Sequence, residues 1–358
     1  MESYQHLKHS ILELCKVQLA TYPKIQTVDL LKLLFQGEFG PGHLIADSAK
    51  SRKFLAQEYE DLQSQGDAGF VEPIGFGFCR LHLSVIDGLG LSLETLHRIF
   101  ELSALSQHGS QEGFAHKVSA LKELCCENAL PFSKDEVDRL YNESPALFRH
   151  SEEYRAAHSP AYRVAKEEYC RHIALLARID TALAQDDKNT IVAIDGDAAS
   201  GKTTLGGILR LIYNCNLIHM DHFFLQPSQR TPERLVEAGG NVDYERFKEE
   251  VLAPLVSHKP FSYRPFDCQT WDFGDEISVM PNRLTVVEGC YSQHPMLTDA
   301  YHIKVMMQVD PVEQMRRITL RNAPFLAEKF RDIWIPMEKA YFAAFDIEKS
   351  SDLVFSTT

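Results

Sequence analysis

The stretch IVAIDGDAASGKTTL, Ile191–Leu205, decides how the second half of the chain folds. Gly196, four further residues, then Gly201, Lys202 and Thr203 match the pattern G-x-x-x-x-G-K-[ST]. Glycines permit backbone conformations that aim consecutive N–H groups inward at a phosphate. A following helix adds its positive N-terminal end. In this pattern the lysine reaches the β and γ phosphates and the hydroxyl binds Mg²⁺. The candidate nucleotide site is therefore Gly196, Asp197, Ala198, Ala199, Ser200, Gly201, Lys202, Thr203 and Thr204. The flanks agree. TIVAID reads as a buried strand, and Leu205, Ile208, Leu209 and Ile212 have helical spacing. The competing reading is a glycine-rich turn with an exposed lysine.

Outward from the loop, short apolar runs alternate with helical segments: TIVAID, NLIHM, LTVVEG, YHIKVMMQVD and LVFST. That layout predicts an α/β domain, a parallel five-stranded sheet flanked by crossover helices. Its chemistry belongs at the carboxyl ends of the strands. Asp221 stands just past NLIHM, and Glu288 ends the run LTVVE. Adjacent strands would bring both beside the loop, one to take a proton and one to hold Mg²⁺. The alternative is that Asp221 caps a helix and Glu288 is an edge charge. His219 lies inside a strand run and reads as a core residue; His222 is open to either reading. Trp271, Phe273 and Trp334 read as packing residues.

Before the loop the chain reads as mainly helical, an α+β domain over 1–186, with the P-loop domain over 187–358. The boundary is the polar stretch AQDDKN, Ala184–Asn189. Thr27 is a candidate cap for a helix whose apolar face is Leu30, Leu31, Leu34 and Phe35, broken by GEFGPGH, Gly37–His43. Asp47 or Ser48 starts the next helix, through Phe54, Tyr59 and Leu62. In FGFCRLHLSVI, Phe76–Ile86, Cys79, Leu81, Leu83 and Val85 alternate with Arg80 and His82, as in a half-buried strand. Ser92 opens another helix and SKDEVDRLYNES another. From Pro160 a long helix is expected, with Tyr162, Tyr169, Ile173, Leu176 and Leu183 on one side. Glu38, His43, Arg80, His82, Arg149 and His150 are the polar residues that stand out. If they converge they could bind an anion or a metal; otherwise they are caps, buried polar bonds and surface charge.

The chain has 358 residues, a length that suggests two domains. Its net charge of −13 makes the surface a poor match for nucleic acid or an anionic membrane, and neither is expected as a partner. An anionic ligand needs a local positive site instead. No apolar run approaches the length of about 18 residues that a membrane span requires. The start lacks a basic-then-apolar signal. Eight cysteines form no C-x-x-C pair, which fits reduced thiols and a cytoplasmic protein.

Residues 190–356 resemble the uridine kinase and phosphoribulokinase family of P-loop kinases. IDGDAASGKTTL looks like the family's loop. MDHFF looks like the strand end that carries its acidic residue and base, here Asp221. GGNVDYERF resembles the segment that offers an aspartate to a ribose, here Asp243. YRPFDCQT resembles the next substrate-side segment, with Tyr263 and Phe266 as base-stacking groups. VVEGCYS looks like the strand with the glutamate near Mg²⁺, here Glu288. VDPVEQMRRITLRN is similar to the start of the lid helix, where Arg316, Arg317 and Arg321 would meet phosphate or substrate. With WIPMEKAYF included, the chain resembles two-domain bacterial members labelled uridine kinase-like. It departs from the family where Asp243 is followed by Tyr244 and Glu245 in place of His-Pro. The lid reads RNAPFLAEKF in place of an Arg-Gly-Arg run.

The resemblance implies an ATP- and Mg²⁺-dependent kinase of a small hydroxyl acceptor, a ribonucleoside first. Asp221, Lys202, Arg317 and Arg321 would be catalytic, and Thr203 and Glu288 would hold the metal. Asp243 has a second reading as the N-cap of YERFKEEVL. A pantothenate or sugar-phosphate kinase and a nucleotide-gated regulator are the alternatives. The resemblance does not cover the first half, which could bind a regulator, shape the acceptor pocket or mediate homo-oligomeric assembly.

Overall fold

The computed structural model describes residues 4–42, 45, 47–62, 69–106, 109–143, 148–185 and 189–357. The chain forms two compact units, Met1–Ile173 and Ala174–Thr358. The division falls after the first residue of the helix Ile173–Gln185 rather than in the polar stretch beyond it, of which residues 186–188 lie outside the described ones. The reason is that this helix bonds to the second unit. Tyr213 donates to the Leu176 carbonyl at 3.1 Å and to Asp180 at 3.0 Å, and Arg283 donates to the Leu183 carbonyl at 2.9 Å.

In the first unit, helices pack around Leu30, Leu31, Leu34, Phe35, Phe114, Leu121 and Val137. Full burial of each such side chain contributes about 1.5–3 kcal/mol. The helix over Thr27–Phe39 is capped by Gln26, not Thr27. Gln26 and Asp29 form a reciprocal capping box, and the Thr27 hydroxyl donates to Glu136 instead. This helix also runs through Gly37 and Glu38 and stops at Gly40. Asp47 and Ser92 cap the helices Ser48–Glu60 and Leu93–Leu105 as expected.

Two sequence expectations fail here for the same reason. Antiparallel strands β1 (Val71–Gly75), β2 (Phe78–His82) and β3 (Tyr162–Lys166) form one sheet with β2 in the centre. β2 is therefore buried on both faces, and Tyr162–Lys166 is a strand rather than the start of a long helix. Arg80 can be buried because its guanidinium meets Glu72 at 3.2 Å and Gln36 at 3.0 Å. Glu72 also bonds His82 at 2.7 Å, Gln18 at 2.7 Å and Tyr22 at 2.8 Å. Of the six polar residues singled out, Arg80, His82 and His150 join one network through Glu72 and Tyr162. Glu38 pairs with Lys117, Arg149 is exposed, and His43 lies outside the described residues.

Burial raises the Glu72 carboxyl, but His82, the Arg80 charge, Gln18 and Tyr22 outweigh it and hold it at about 2, against an ordinary 4.5. A carboxyl lowered on folding stabilises above its unfolded value and loses that contribution as pH falls. At 1.36 kcal/mol per pH unit this amounts to about 3 kcal/mol, present above pH 4.5 and lost on acidification toward 2. Urea melts across that window should show the loss in the wild type. Glu72→Gln should be less stable at neutral pH and lack this acid-dependent step.

The second unit is a parallel five-stranded sheet. Its strands are β4 (Thr190–Gly196), β5 (Asn216–His219), β10 (Leu284–Glu288), β11 (Ile303–Val309) and β12 (Leu353–Thr357), in the order β12-β11-β4-β10-β5. Between β5 and β10 lie two short antiparallel pairs. These are β6 (Phe261–Tyr263) with β9 (Ile277–Val279), and β7 (Phe266–Asp267) with β8 (Asp272–Phe273). β4 and β10 are buried along their whole length, as expected for strands covered by helices on both faces. The central position of β4 is what delivers the phosphate loop to the middle of the sheet edge. Among the described residues no helix is long and apolar enough to cross a membrane.

Candidate active site

The loop leaves β4 at Gly196, whose φ is +135°. A Cβ there would sit 1.9 Å from the Met307 carbonyl oxygen, so only glycine fits against β11. The helix Lys202–Tyr213 follows, with Gly201 as its left-handed cap. By helix geometry the amides of its first turn have no intrahelical acceptor and can meet an anion. The loop's carbonyls are tied down from outside. Gln314 donates to Ala198 O at 3.0 Å, Arg317 to Ala199 O at 3.2 Å and Thr357 to Ser200 O at 3.1 Å. Lys202 folds back over the loop, its Nζ 2.8 Å from the carbonyls of both Gly196 and Asp197.

The register of the sheet sets Glu288 opposite His219 on β5 and Ile194 on β4. The Thr203 hydroxyl donates to the Glu288 carboxylate at 3.1 and 3.3 Å, and His219 Nδ1 lies 2.5 Å from Glu288 Oε1. That bond to Glu288 raises His219, against burial. His219 is thus a partner of Glu288 rather than a core residue. Among the described residues no three His, Cys, Asp or Glu side chains form a metal cage. Mg²⁺ is commonly held by one or two protein oxygens together with phosphates and water. The hard oxygens of Thr203 and Glu288 fit that role.

Asp221 sits in the turn after β5, on the same cavity as the loop and Glu288. Its side chain is exposed to the cavity, whose walls nonetheless displace bulk water around it. This desolvation raises its carboxyl, with Glu288 adding and Lys202, His219 and Arg321 opposing. His222 turns away to Tyr263, 3.2 Å off, and burial pushes it down to about 4. Across the cavity, Arg317 and Arg321 of the helix Pro311–Arg321 line the wall. Arg317 is held by Glu313 at 2.7 Å, and Arg321 lies 6.0 Å over Phe330.

The four expected substrate-binding residues do not line this cavity, and neither do Gly196, Asp197 and Ser200 of the loop. Asp243 caps the short helix Tyr244–Phe247: its carboxylate accepts from Arg246 N at 3.0 Å and from Gln229 at 2.6 Å. Tyr263 is buried against Phe223, and Phe266 packs edge-on against Phe273. Arg316 points outward to Glu313. Asp243→Ala should therefore lower stability by about 1 kcal/mol, the usual cost of a lost cap. The acceptor KM should change by less than about twofold, a difference of under ~0.4 kcal/mol.

Other groups line the cavity. Trp271 was expected to pack, yet it is 50% exposed and lines the cavity, with the Arg230 guanidinium 5.6 Å over its ring. Trp334 both stacks edge-on against Phe330 and lines the wall, whereas Phe273 packs as expected. Arg230, Asn241 and Gln269 add polar groups to the lining. The cavity measures about 1380 Å³, room for a nucleotide and a small acceptor together.

Sequence reasoning missed Glu338 altogether. It comes from the helix Ile335–Ala344 and accepts from the Ala198 amide at 3.0 Å, while Lys339 beside it meets Asp197 at 2.7 Å. The Asp197 carboxylate is thus held by the helix Ile335–Ala344 and the Val309 amide. The only signal was a charged pair inside an aromatic run. Burial raises Glu338 to about 7, with Asp197 and Asp195 adding and Lys202 and the Ala198 amide opposing. Glu338 is therefore largely ionised at pH 8 and largely neutral at pH 6. An ionised carboxylate on the loop opposes a phosphate. The wild type should then bind nucleotide up to about tenfold more weakly than Glu338→Gln at pH 8 and equally at pH 6. Calorimetric titration at both pH values checks this.

No family model matches the chain, and no curated protein matches it. Among solved structures it is similar to a "possible uridine kinase" from Bacillus stearothermophilus, at 19% identity over 51% of this chain and 98% of that one, TM-score 0.38. A candidate fructose transport system kinase from Silicibacter sp. aligns at 19% identity over 50% and 97%, TM-score 0.40. A D-glycerate 3-kinase from Cryptococcus neoformans var. grubii aligns at 15% over 46% and 85%, TM-score 0.36. By its own sheet order, with the phosphate loop leaving the central strand, the unit Ala174–Thr358 is a P-loop α/β fold with a parallel five-stranded sheet.

Proposed function

We propose that the protein transfers the γ-phosphate of ATP to a hydroxyl of a small acceptor. The observation that carries this reading is that Asp221 and Glu288 open on one cavity with the phosphate loop. A kinase needs a base placed for an acceptor hydroxyl, in a cavity with room to admit that acceptor beside the γ-phosphate.

The triphosphate lies along the amides of Ala199–Thr204, and Lys202 swings from its own carbonyls to the β and γ phosphates. Thr203 and Glu288 hold Mg²⁺, which neutralises charge on the phosphates when bound. Asp221 takes the acceptor's hydroxyl proton. The freed oxygen bonds to the γ-phosphorus, and the bond from that phosphorus to the β–γ bridging oxygen breaks, so ADP leaves with the electron pair. Arg321, and Arg317 if it releases Glu313, screen the developing charge. The helices of Pro311–Ala344 exclude water, a wasteful competing acceptor.

For the acceptor, the exposed Trp271 ring supports a ribonucleoside, by stacking on its base. Arg230 favours a second reading: it faces the cavity with no carboxylate partner among the described residues, so an acidic alcohol such as pantothenate or a pentose phosphate would suit it. An ATP-consumption screen across nucleosides, pantothenate and pentose phosphates tests both. Stimulation by a nucleoside supports the first, and stimulation only by an acidic alcohol replaces it with the second. Tight ATP binding with no responsive acceptor would favour a nucleotide-gated regulator.

A further inference from the structure

The first unit carries a cavity of its own, about 320 Å³, at the low end of the size range of small-molecule sites. Lys32, Gln36, His150 and Tyr162 supply its polar wall together with Glu58, whose charge Arg163 neutralises at 2.7 Å, and Phe54 and Phe100 supply its apolar one. Lys32 is the unusual member. Its ammonium has one weak hydrogen bond, to the Phe148 carbonyl at 3.4 Å, and no carboxylate within ion-pair distance among the described residues. Burial, with the charges of Arg80, Arg149 and Arg155, pushes it down to about 8, against Asp29. Asp29 is already committed elsewhere: it accepts from His150, the Ser151 amide and hydroxyl, and the Gln26 amide.

The back wall is rigid. Asp29 Oδ1 lies 2.7 Å from His150 Nδ1, and His150 Nε2 lies 2.6 Å from the Tyr162 hydroxyl. The His150 ring stacks on Tyr154 at 4.2 Å, and Gln36 donates to the Tyr162 hydroxyl at 3.2 Å. Such a chain of fixed polar groups behind an open cavity is the support a ligand site needs. Folding thus leaves an unmatched positive charge facing a small preformed cavity with aromatic sides.

We infer that this cavity is a second ligand site, for a small organic anion: a carboxylate or phosphate monoester whose charge meets Lys32 and whose apolar part contacts Phe54 and Phe100. Nothing in the phosphate-loop chemistry requires it. Its ligand is a regulator or substrate separate from the nucleotide.

The test uses the full chain and reads Lys32 itself, because the phosphate loop will also bind phosphates. Acetic anhydride is applied at pH 8, and acylation of Lys32 is followed by mass spectrometry, with the exposed Lys24 as internal reference. Benzoate and phenyl phosphate at millimolar concentration are the probes. Slowing of at least about fivefold at Lys32, roughly 1 kcal/mol of binding, with Lys24 unchanged is expected from one or both. Protection by benzoate alone identifies a carboxylate site, and by phenyl phosphate alone a phosphate monoester site. Phe54→Ala should weaken protection without altering the unprotected rate. Lys32 reactivity unmoved by either probe, or equal protection in Phe54→Ala, would overturn the proposal.

Discussion

Asp221→Asn lowers the rate of phosphoryl transfer by about 10²–10⁴-fold, the usual contribution of a positioned base. The substitution keeps the shape of the turn after β5 but removes the proton acceptor. Nucleotide affinity should be unchanged or slightly tighter, since a negative charge leaves the neighbourhood of Lys202 and the phosphates. The pH profile adds an independent reading. A base must be ionised to act, and crowding raises the Asp221 carboxyl above its ordinary value. Wild-type activity should therefore be lost as pH falls through that raised value, and this limb should be missing from the variant's residual rate. Single-turnover measurement with radiolabelled ATP separates the chemical step from binding. A variant with near-normal turnover would remove Asp221 from the base role.

Lys202→Ala should cost at least about 10²-fold in kcat/KM, the scale for loss of one preorganised charged donor. Here nucleotide affinity should fall as well, since the lysine meets both β and γ phosphates. Lys202 also closes the loop on itself through the carbonyls of Gly196 and Asp197. The variant should thus show a more mobile loop, detectable as faster amide exchange at 197–201, with the sheet unaffected. The two variants differ in pattern: Asp221→Asn loses rate alone, whereas Lys202→Ala loses rate and affinity.

The phosphate loop was legible because its chemistry is local, with every ligand-facing group inside nine consecutive residues and a strand and a helix on either side. Asp221 and Glu288 were legible one step further out, because apolar strand runs point at their own carboxyl ends. The acceptor side was not. Asp243 looks the same in sequence whether it binds a sugar or caps a helix, since both leave a carboxylate before an amphipathic run; the Arg246 amide shows the cap, and Gln229 takes the other oxygen. Arg230 and Trp271 approach each other from segments without period. Glu338 reaches the loop across 140 residues. Tyr162, Tyr169, Ile173 and Leu176 fit a helical period, and the chain is helical from Ile173, yet pairing of β3 with β2 makes Tyr162–Lys166 a strand. The same pairing buries Arg80 and assembles the Asp29–His150–Tyr162 chain, which no local pattern announces.

The most direct measurement of the central claim is transfer of radiolabel from γ-labelled ATP to acceptor, with product isolated and acceptors supplied one class at a time. The account predicts a labelled phosphate ester of one small alcohol, formed with Mg²⁺, stoichiometric with ADP and abolished in Asp221→Asn. Label appearing only as inorganic phosphate, at the same rate with every acceptor and in the Asp221→Asn variant, would contradict it.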